Sequence, residues 1–332
     1  MVSDHDLDAI AADARFSGVV RVDRGTEVVV TKAYGLADRG HEIPNEVDTQ
    51  FAVASGLKGL TALAVVSLIE DGTLELGTTA RSLLGEDLPL IADDVTVEHL
   101  LAHRSGIGDY LDEDGGHEIT DYVMPVPVHQ LATPEEYVPI LGGHPAKFTA
   151  GESFSYCNGG FVLLAVLAER ASGVPYHELV AQRVCEPAGM GDTAFLRSDE
   201  LPGRAALGYL FADGLRTNVL HLPVRGVGDG GIYTTAADVR ALWAALVAGR
   251  IVPSEWFSEM TRPRSDVNDD WKYGLGFWLR APTEAVALEG YDAGVSFRSL
   301  YNPGADVTCT VISNWSDGAW SVVTYLQEAL EL

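Results

Sequence analysis

Basic residues are scarce in this chain, and lysine is the scarcest of them. The 332 residues include 22 lysines and arginines against 48 aspartates and glutamates, so the net charge is -26. The lysines are Lys32, Lys58, Lys147 and Lys272. Because nucleic acid binding requires a basic surface, this charge balance argues against a nucleic acid partner and favours a solvated acidic surface.

Cysteines and long apolar runs are also rare. Cys157, Cys185 and Cys309 lack C-x-x-C spacing, so they fit neither a disulfide framework nor a zinc site and are expected to be reduced thiols. No apolar run approaches the roughly 18 residues of a membrane span, and the first residues are acidic where those of a signal peptide are basic. We therefore expect a cytoplasmic protein without a membrane partner.

The usual motifs of metal and cofactor enzymes are absent as well. The nine histidines form no H-x-H or H-E-x-x-H pattern. The Gly-Asp-Gly-Gly run at 228–231 predicts a tight turn rather than a phosphate loop, because no Gly-Lys-Ser/Thr follows it. These absences favour a protein that works without a metal or cofactor.

A composition of 47% apolar and 21% charged residues is typical of a globular protein, and its apolar pattern changes along the chain. Residues 18–35 predict a β-hairpin, residues 55–224 are mainly helical, and the last zone returns to strands before a helix over 318–331. The predicted strands of that zone are 273–279, 285–290, 296–302 and 306–314.

This order predicts an α+β fold. Strands from both chain ends would form one antiparallel sheet flanked by terminal helices, with a mainly helical region inserted between them. We expect one domain from 1–60 and 225–332, a second from 61–224, and an active site between them. The irregular segments 107–147 and 195–226 are expected to run over the surface and wall the pocket.

Ser55 and Lys58 stand three residues apart in the apolar stretch FAVASGLKGLTAL, residues 51–63. If a helix starts at Ser55, both side chains lie on one face and the amine can approach the hydroxyl. A lysine in an apolar pocket has a lowered pKa, because burial disfavours its charged form, so it can take the serine proton. The alternative is a serine that caps the helix beside a solvated lysine.

A second candidate group is Tyr156 and Asn158, in the stretch FTAGESFSYCNGG at 148–160. A phenol can pass protons where a nearby cation stabilises its anion, and the amide can donate to a substrate carbonyl. A buried tyrosine beside a hydrogen-bonded amide is the alternative explanation. Because each motif is weak alone, their common order along the chain is the stronger signal.

Ser55-Gly-Leu-Lys58, Tyr156-Cys-Asn158 and the runs LLAHRSGI, PAGMGDTAF and GVGDGGIYTTAADVRALW occur in one order over nearly the whole chain. In that order they resemble the serine β-lactamase and penicillin-binding-protein superfamily, in particular its class C-like branch of D-alanyl-D-alanine peptidases, D-aminopeptidases and family VIII esterases. The resemblance implies a β-lactamase/transpeptidase-like fold. It also implies that Ser55 is the acylated nucleophile, Lys58 its proton acceptor, Tyr156 the acid/base for the leaving group, and Asn158 a contact to substrate or lysine.

The third family motif departs from the family pattern. Asp292-Ala-Gly294 occupies the place of Lys-Thr-Gly or His-x-Gly, so an acid replaces the cation that attracts a substrate carboxylate. A penicillin-type substrate is therefore disfavoured, and Asp292 is a candidate partner for the ammonium of an amino ester or amino peptide. Gly294 permits a close backbone approach, and the N–H of Val295 could join that of Ser55 in an oxyanion hole. The direction of Arg298 on the same strand stays open.

These residues predict a cofactor-independent serine hydrolase that forms an acyl-enzyme at Ser55 on an ester or amide, of esterase or D-amino-acid amidase or peptidase type. A β-lactamase or D-alanyl-D-alanine carboxypeptidase is one alternative. A non-catalytic binding module on the same fold is another. Acyl preference, hydrolysis against acyl transfer, and oligomeric state stay open at this point.

Overall fold

The computed structural model describes residues 2–116 and 118–332, with the backbone alone for Asp114. Over these ranges no helix combines the length and apolarity that crossing a membrane would take. The helices are α1 (Asp4–Asp13), α2 (Leu57–Glu70), α3 (Ala80–Leu84), α4 (Val97–Leu101), α5 (Pro134–Leu141), α6 (Asn158–Ser172), α7 (Tyr176–Val180), α8 (Glu186–Ala188), α9 (Ala236–Val247), α10 (Ser254–Met260) and α11 (Trp320–Leu330).

The strands form one large antiparallel sheet in the order β2-β1-β12-β11-β10-β9-β8-β7 and two small two-stranded sheets. Strand β1 lies beside β12, with Val20 opposite Val311, so both ends of the chain contribute to the large sheet. The predicted α+β fold is confirmed. The strands are β1 (Gly18–Arg24), β2 (Glu27–Tyr34), β3 (Leu36–Asp38), β4 (Ile43–Pro44), β5 (Phe51–Ala52), β6 (Tyr233–Thr234), β7 (Ser265–Asp266), β8 (Trp271–Tyr273), β9 (Trp278–Arg280), β10 (Val286–Asp292), β11 (Val295–Asn302) and β12 (Val307–Ser313).

Both faces of the large sheet are covered. The neighbouring residues Val19 and Val20 of β1 belong to different cores, because side chains alternate between the two faces of a strand. Leu7 of α1 and Leu326 of α11 close the core on the side of Val20. The core on the side of Val19 continues into α2 and α6 of the inserted helical region. The domain boundaries themselves stay a prediction.

Two local expectations from the sequence are wrong. The run 273–279 forms two short strands, β8 and β9, because Gly276 has φ +84 and turns the chain between them. Segment 107–147 contains α5, whose prolines at the start and inside the helix hid its pattern.

The sheet approaches the turn at 54–56 very closely. A Cβ atom at Gly290 of β10 would lie 2.0 Å from the carbonyl oxygen of Val53. A Cβ atom at Gly56 would lie 2.5 Å from the ring of Phe297, which is buried on β11. Packed atoms do not tolerate such distances, so both positions require glycine for this approach. The absence of two side chains thus lets the turn rest directly on β10 and β11.

Candidate active site

Ser55 lies in the short 3-10 turn Ala54–Gly56, which joins β5 to α2. Ala54 has φ +44, in the left-handed region that residues other than glycine adopt at an energetic cost and often at functional sites. Gly56 is the N-cap of α2, and no side chain caps this helix. The alternative in which Ser55 is a helix cap is therefore wrong, and its side chain lines a cavity instead.

Lys58 is the buried amine beside this hydroxyl. The residue is 2% exposed. Its Nζ lies 2.8 Å from Oγ of Ser55, 2.8 Å from Oδ1 of Asn158 and 2.8 Å from the main-chain oxygen of Asp229. The alternative of a solvated lysine is therefore wrong.

These three contacts decide where the lone pair of the neutral amine points. A neutral amine has two N–H donors and one lone pair, whereas amide carbonyl oxygens only accept. Asn158 Oδ1 and the Asp229 carbonyl oxygen take the two N–H groups, so the lone pair faces Ser55 Oγ. The serine hydroxyl can then donate its proton directly to Lys58 over 2.8 Å.

Two opposing effects act on the charge of this amine. Burial lowers the pKa of Lys58, because the ammonium form is disfavoured away from water. Nearby carboxylates oppose this shift and raise the pKa, with Asp229 contributing most, followed by Glu113, Asp109 and Asp292. The balance suits a group that must first take a proton and later return it.

Asn158 is held in place by bonds at each polar atom of its amide. Oδ1 accepts from the lysine, while Nδ2 donates to the Leu111 carbonyl at 3.2 Å and to Glu113 Oε1 at 2.8 Å. The Asp109 carboxylate accepts the main-chain N–H groups of Asn158 at 2.6 Å and Gly159 at 2.8 Å, at the first turn of α6. Because Nδ2 is engaged, the amide contacts the lysine and has no N–H directed at the cavity.

Tyr156 is the second group beside the serine. Its ring stacks on Trp278 with centroids 5.9 Å apart, and Lys58 Nζ lies 4.9 Å from the centroid of the phenol ring. Burial, followed by the Glu113 carboxylate, raises the pKa of Tyr156 well above its usual value, and a hydrogen bond with Ser55 opposes the shift. The phenol therefore rests in its protonated form, which suits a donor of a proton to a leaving group.

His103 holds the segment that carries Tyr156. Its Nδ1 accepts the N–H of Cys157 at 3.1 Å, and its main-chain oxygen accepts the N–H of Ser155 at 2.9 Å. The imidazole lies 4.3 Å from the Tyr156 ring, measured between centroids. Burial, with a smaller contribution from Lys58, lowers the pKa of His103 well below its usual value, so the ring is neutral. These contacts give His103 a structural role in holding residues 155–157 beside the serine.

Asp229 is the contact that sequence reasoning missed. The tight turn predicted at 228–231 is present, since Val227 and Gly230 exchange main-chain hydrogen bonds of 3.0 and 2.9 Å. Asp229 contacts Lys58 through its main-chain carbonyl oxygen. Every residue has such a group, so no sequence motif can reveal the contact. The Asp229 side chain also accepts from the Tyr110 hydroxyl at 2.6 Å. Burial raises the pKa of Asp229 to about 6, against the opposing effects of Lys58 and Tyr110.

The cavity at Ser55 is apolar on its walls and acidic at its polar end. Both irregular segments line it, as predicted. No lysine or arginine occurs among the described residues of its lining. The acids of the lining are Glu113, Asp229 and Asp292, and its aliphatic walls include Leu111, Ile119, Met124, Leu196, Leu222 and Val224.

Asp292, the last residue of β10, lies in the lining of this cavity. Its Oδ1 accepts the N–H of Ala293 at 2.8 Å. Burial raises the pKa of Asp292 to about 7, and the carboxylates of Asp229 and Glu113 add to the shift. Arg298 does not restore a positive charge here, because it bonds to Glu289 on the neighbouring strand and is absent from the cavity lining.

Comparison with known proteins gives a family match over nearly the whole chain. The family model described as Beta-lactamase matches residues 4–331. Esterase EstB of Burkholderia gladioli is 33% identical over 219 residues, which are 61% of this chain and 53% of that protein. A D-aminopeptidase of Cereibacter sphaeroides is 27% identical over 302 residues, which are 89% of this chain and 55% of that protein. The chain thus spans about half the length of these curated relatives.

A solved structure matches nearly the whole chain. The penicillin binding protein from Bacillus halodurans has 35% sequence identity and a TM-score of 0.91, and the match covers 98% of this chain and 99% of that chain. The similarity therefore includes the large sheet and the inserted helical region together.

Proposed function

Because the chain belongs to the Beta-lactamase family, whose superfamily comprises serine hydrolases, we propose that it forms an acyl-enzyme at Ser55 on an ester or amide substrate. The main support is the Lys58 amine, which is 2% exposed, lies 2.8 Å from Ser55 Oγ and has two carbonyl oxygens as its other contacts, so that its neutral form keeps a lone pair for the serine proton. A non-catalytic module would gain nothing from this arrangement, because burying a lysine costs desolvation energy.

In the proposed reaction, the Ser55 hydroxyl transfers its proton to Lys58 Nζ while Oγ attacks the substrate carbonyl carbon. The tetrahedral intermediate collapses as the bond to the leaving group breaks, and Tyr156 gives its phenolic proton to the departing oxygen or nitrogen. Lys58 then returns its proton to the phenolate. A water molecule next attacks the acyl carbon and gives one proton to Lys58 Nζ. The bond from the acyl carbon to Ser55 Oγ then breaks, Lys58 returns the proton to Oγ, and the acid is released.

The main-chain N–H groups of Ser55 and Val295 are the proposed donors to the oxyanion. Both residues line the cavity, and Val295 opens the strand β11 immediately after the hairpin turn. Gly294 is not available as a donor, because its own N–H bonds to Ser316 Oγ at 2.9 Å.

The acids of the cavity support a neutral or cationic substrate. A substrate carboxylate placed beside Asp292, with Glu113 and Asp229 in the same lining, would be repelled. We therefore propose esterase or amidase activity on amino esters or amino amides, with Asp292 attracting the ammonium group. This charge pattern disfavours the alternative of a β-lactamase or D-alanyl-D-alanine carboxypeptidase, whose substrates carry a carboxylate.

A labelled fluorophosphonate tests the acyl-enzyme directly. We expect it to modify Ser55 in the wild type and to leave Ser55→Ala unmodified, as read by intact-protein mass spectrometry. A p-nitrophenyl ester should be hydrolysed and nitrocefin should not. Absence of label on the folded wild type would instead support the binding module, and efficient nitrocefin hydrolysis would support the β-lactamase.

The role of Asp292 is tested with a matched pair of esters, one bearing a free amine and one the same chain without it. We expect Asp292→Asn to reduce the preference in kcat/KM for the amino ester about tenfold, because a unit charge is lost beside the ligand. The two esters are compared at a pH above the Asp292 pKa of about 7, where the wild-type carboxyl is ionised. An unchanged preference would remove Asp292 from this role.

A further inference from the structure

Asp229 interacts with Lys58 in two ways. Its main-chain oxygen lies 2.8 Å from Nζ, and its carboxylate charge acts on the amine. We propose that Asp229 is a positioning residue for the base: its main-chain carbonyl orients the Lys58 amine, and its buried carboxylate stabilises the ammonium that forms when Ser55 gives up its proton. The catalytic consequence rests on the proposed acylation of Ser55. The coupling between the two charges does not, and it can be measured separately.

The turn that carries Asp229 leaves little freedom for either group. A Cβ atom at Gly228 would lie 2.0 Å from the Phe161 carbonyl oxygen, so the turn packs directly on the backbone of α6. The main-chain oxygen of Asp229 lies 2.8 Å from Lys58 Nζ, while its Oδ2 accepts from Tyr110 at 2.6 Å. Asp229 and Tyr110 are each 8% exposed. One residue therefore bonds the amine through its carbonyl oxygen and holds a buried carboxyl group, fixed by Tyr110, in the same pocket.

The other ionisable groups around Lys58 act on it less strongly. Asp109 is committed to the N–H groups at the start of α6. Glu113 is exposed, so solvent and salt screen its charge. Asp292 is the last residue of β10, at the hairpin that faces the cavity. The phenols Tyr110 and Tyr156 and the neutral imidazole of His103 also lie beside these two groups. The charge of Asp229 further reaches the buried or half-buried phenols of Tyr122, Tyr137 and Tyr176.

Two consequences for catalysis follow from a carboxylate and an ammonium buried in the same pocket. The Asp229 carboxylate holds the pKa of Lys58 up, so removing its charge extends activity to lower pH, because the neutral base persists there. The same removal deprives the newly formed ammonium of its partner, so the maximal rate falls. A purely structural residue would lower the maximal rate without moving the pH at which activity rises.

Asp229→Asn is the matched substitution, since it keeps the main-chain carbonyl and retains an acceptor for the Tyr110 hydroxyl. The chain has only four lysines, so lysine labelled with carbon-13 at Cε gives few resonances, and Lys58→Met assigns the relevant one. We expect the Lys58 titration midpoint to fall by about one pH unit or more in Asp229→Asn. Glu113→Gln, the matched control on the exposed side, should shift it less.

The pH dependence of fluorophosphonate labelling provides the kinetic counterpart. In Asp229→Asn the rising limb should move to lower pH by the interval seen for Lys58, with a plateau about tenfold lower. A Lys58 midpoint equal to that of the wild type, with normal labelling of Ser55, would overturn the role of Asp229 and leave the proposed function intact. A Lys58 midpoint that shifts in Asp229→Asn, in a protein whose Ser55 is never labelled, would support the role of Asp229 and contradict the proposed function.

Linkage offers a second test that does not need Asp229→Asn to fold. The coupling is reciprocal, so Lys58→Met must raise the pKa of Asp229 by the interval that Asp229 adds to Lys58. Aspartate labelled with carbon-13 at Cγ, in an Asp292→Asn background, should show one carboxyl titrating near pH 6 that moves upward when Lys58 is replaced. If no aspartate carboxyl moves, the proposal fails.

Discussion

Oδ1 of Asn158 lies 2.8 Å from Nζ of Lys58, although 100 residues separate them in the chain. The bond joins the first residue of α6 to the first turn of α2, the helix that follows the serine. The direction of the lysine lone pair therefore depends on how two helices from distant parts of the sequence are placed.

Asn158→Ala should lower kcat about 100-fold with little change in KM, because one N–H of the amine loses its acceptor and the lone pair is no longer directed at the serine. Asn158→Asp is the matched comparison. It keeps an acceptor but adds a carboxylate beside the amine, so the pKa of Lys58 rises and the rising limb of the pH–rate profile moves to higher pH. Steady-state kinetics over a pH series measure both effects. A wild-type kcat in Asn158→Ala would contradict the orienting role.

Lys58→Met should separate activity from stability. The rate should fall by about three orders of magnitude or more, because serine and base act as a unit. The melting temperature should stay the same or rise, since methionine fills the space of a buried lysine without its desolvation cost. Ester hydrolysis measures the rate and thermal unfolding of the same preparation measures the melting temperature. A near-normal rate would exclude Lys58 as the base.

Tyr156→Phe should affect substrates according to their leaving groups. An alkyl ester or an amide needs a proton at its departing atom, so its kcat should fall by about 10² to 10⁴. A p-nitrophenyl ester leaves as a stable anion and should lose much less. Tyr273→Phe, another buried phenol packed on Trp278, should leave both rates unchanged. Equal losses on the two esters would mean that Tyr156 has some role other than proton donation.

Gly290→Ala should displace the turn that carries Ser55, although Gly290 does not line the cavity. The new Cβ would meet the Val53 carbonyl oxygen at 2.0 Å, so the turn at 54–56 must move and both kcat and the melting temperature should fall. Gly203→Ala is the control, because nothing lies within 4 Å of a Cβ there and its φ is not in the left-handed range. Comparable activity in the two variants would show that the close approach of β10 does not position the serine.

Asp292→Asn should change how stability depends on pH. A folded-state pKa of about 7 means that the native protein binds this proton more tightly than the unfolded chain does. The wild type therefore loses stability as the pH rises from the unfolded pKa, about 4, to about 7, and the asparagine variant avoids that loss. Its melting temperature should exceed that of the wild type above pH 7 and match it in acid. Parallel curves at every pH would contradict the raised pKa.

Much of the fold could be predicted from local pattern. The hairpin of β1 and β2 and the strands β10, β11 and β12 follow from alternating apolar runs, which depend on near neighbours in the chain. Two errors had local causes. A left-handed glycine at 276 divided one apolar run into two strands, and prolines in α5 concealed a helix. Neither feature leaves a periodic signal.

The candidate site shows where such reasoning ends. Ser55 and Lys58 could be paired because a helical start brings positions three apart onto one face. The main-chain oxygen of Asp229 could not be predicted as a lysine contact, because its placement depends on the packing of the 228–231 turn against α6. The destination of Arg298 was equally open, since alternation along a strand does not say which face meets the cavity.

The sequence by itself determined the chemical groups of this protein, their order along the chain and the excess of acids that surrounds them, because these are properties of composition and spacing. Only the tertiary structure decided that the amine is buried, that two carbonyl oxygens lie within hydrogen-bond distance of it beside the serine, and that acids without a lysine or arginine line the described cavity. The reason is physical: hydrogen-bond direction and desolvation depend on atoms brought together from remote segments, and no local pattern encodes their distances.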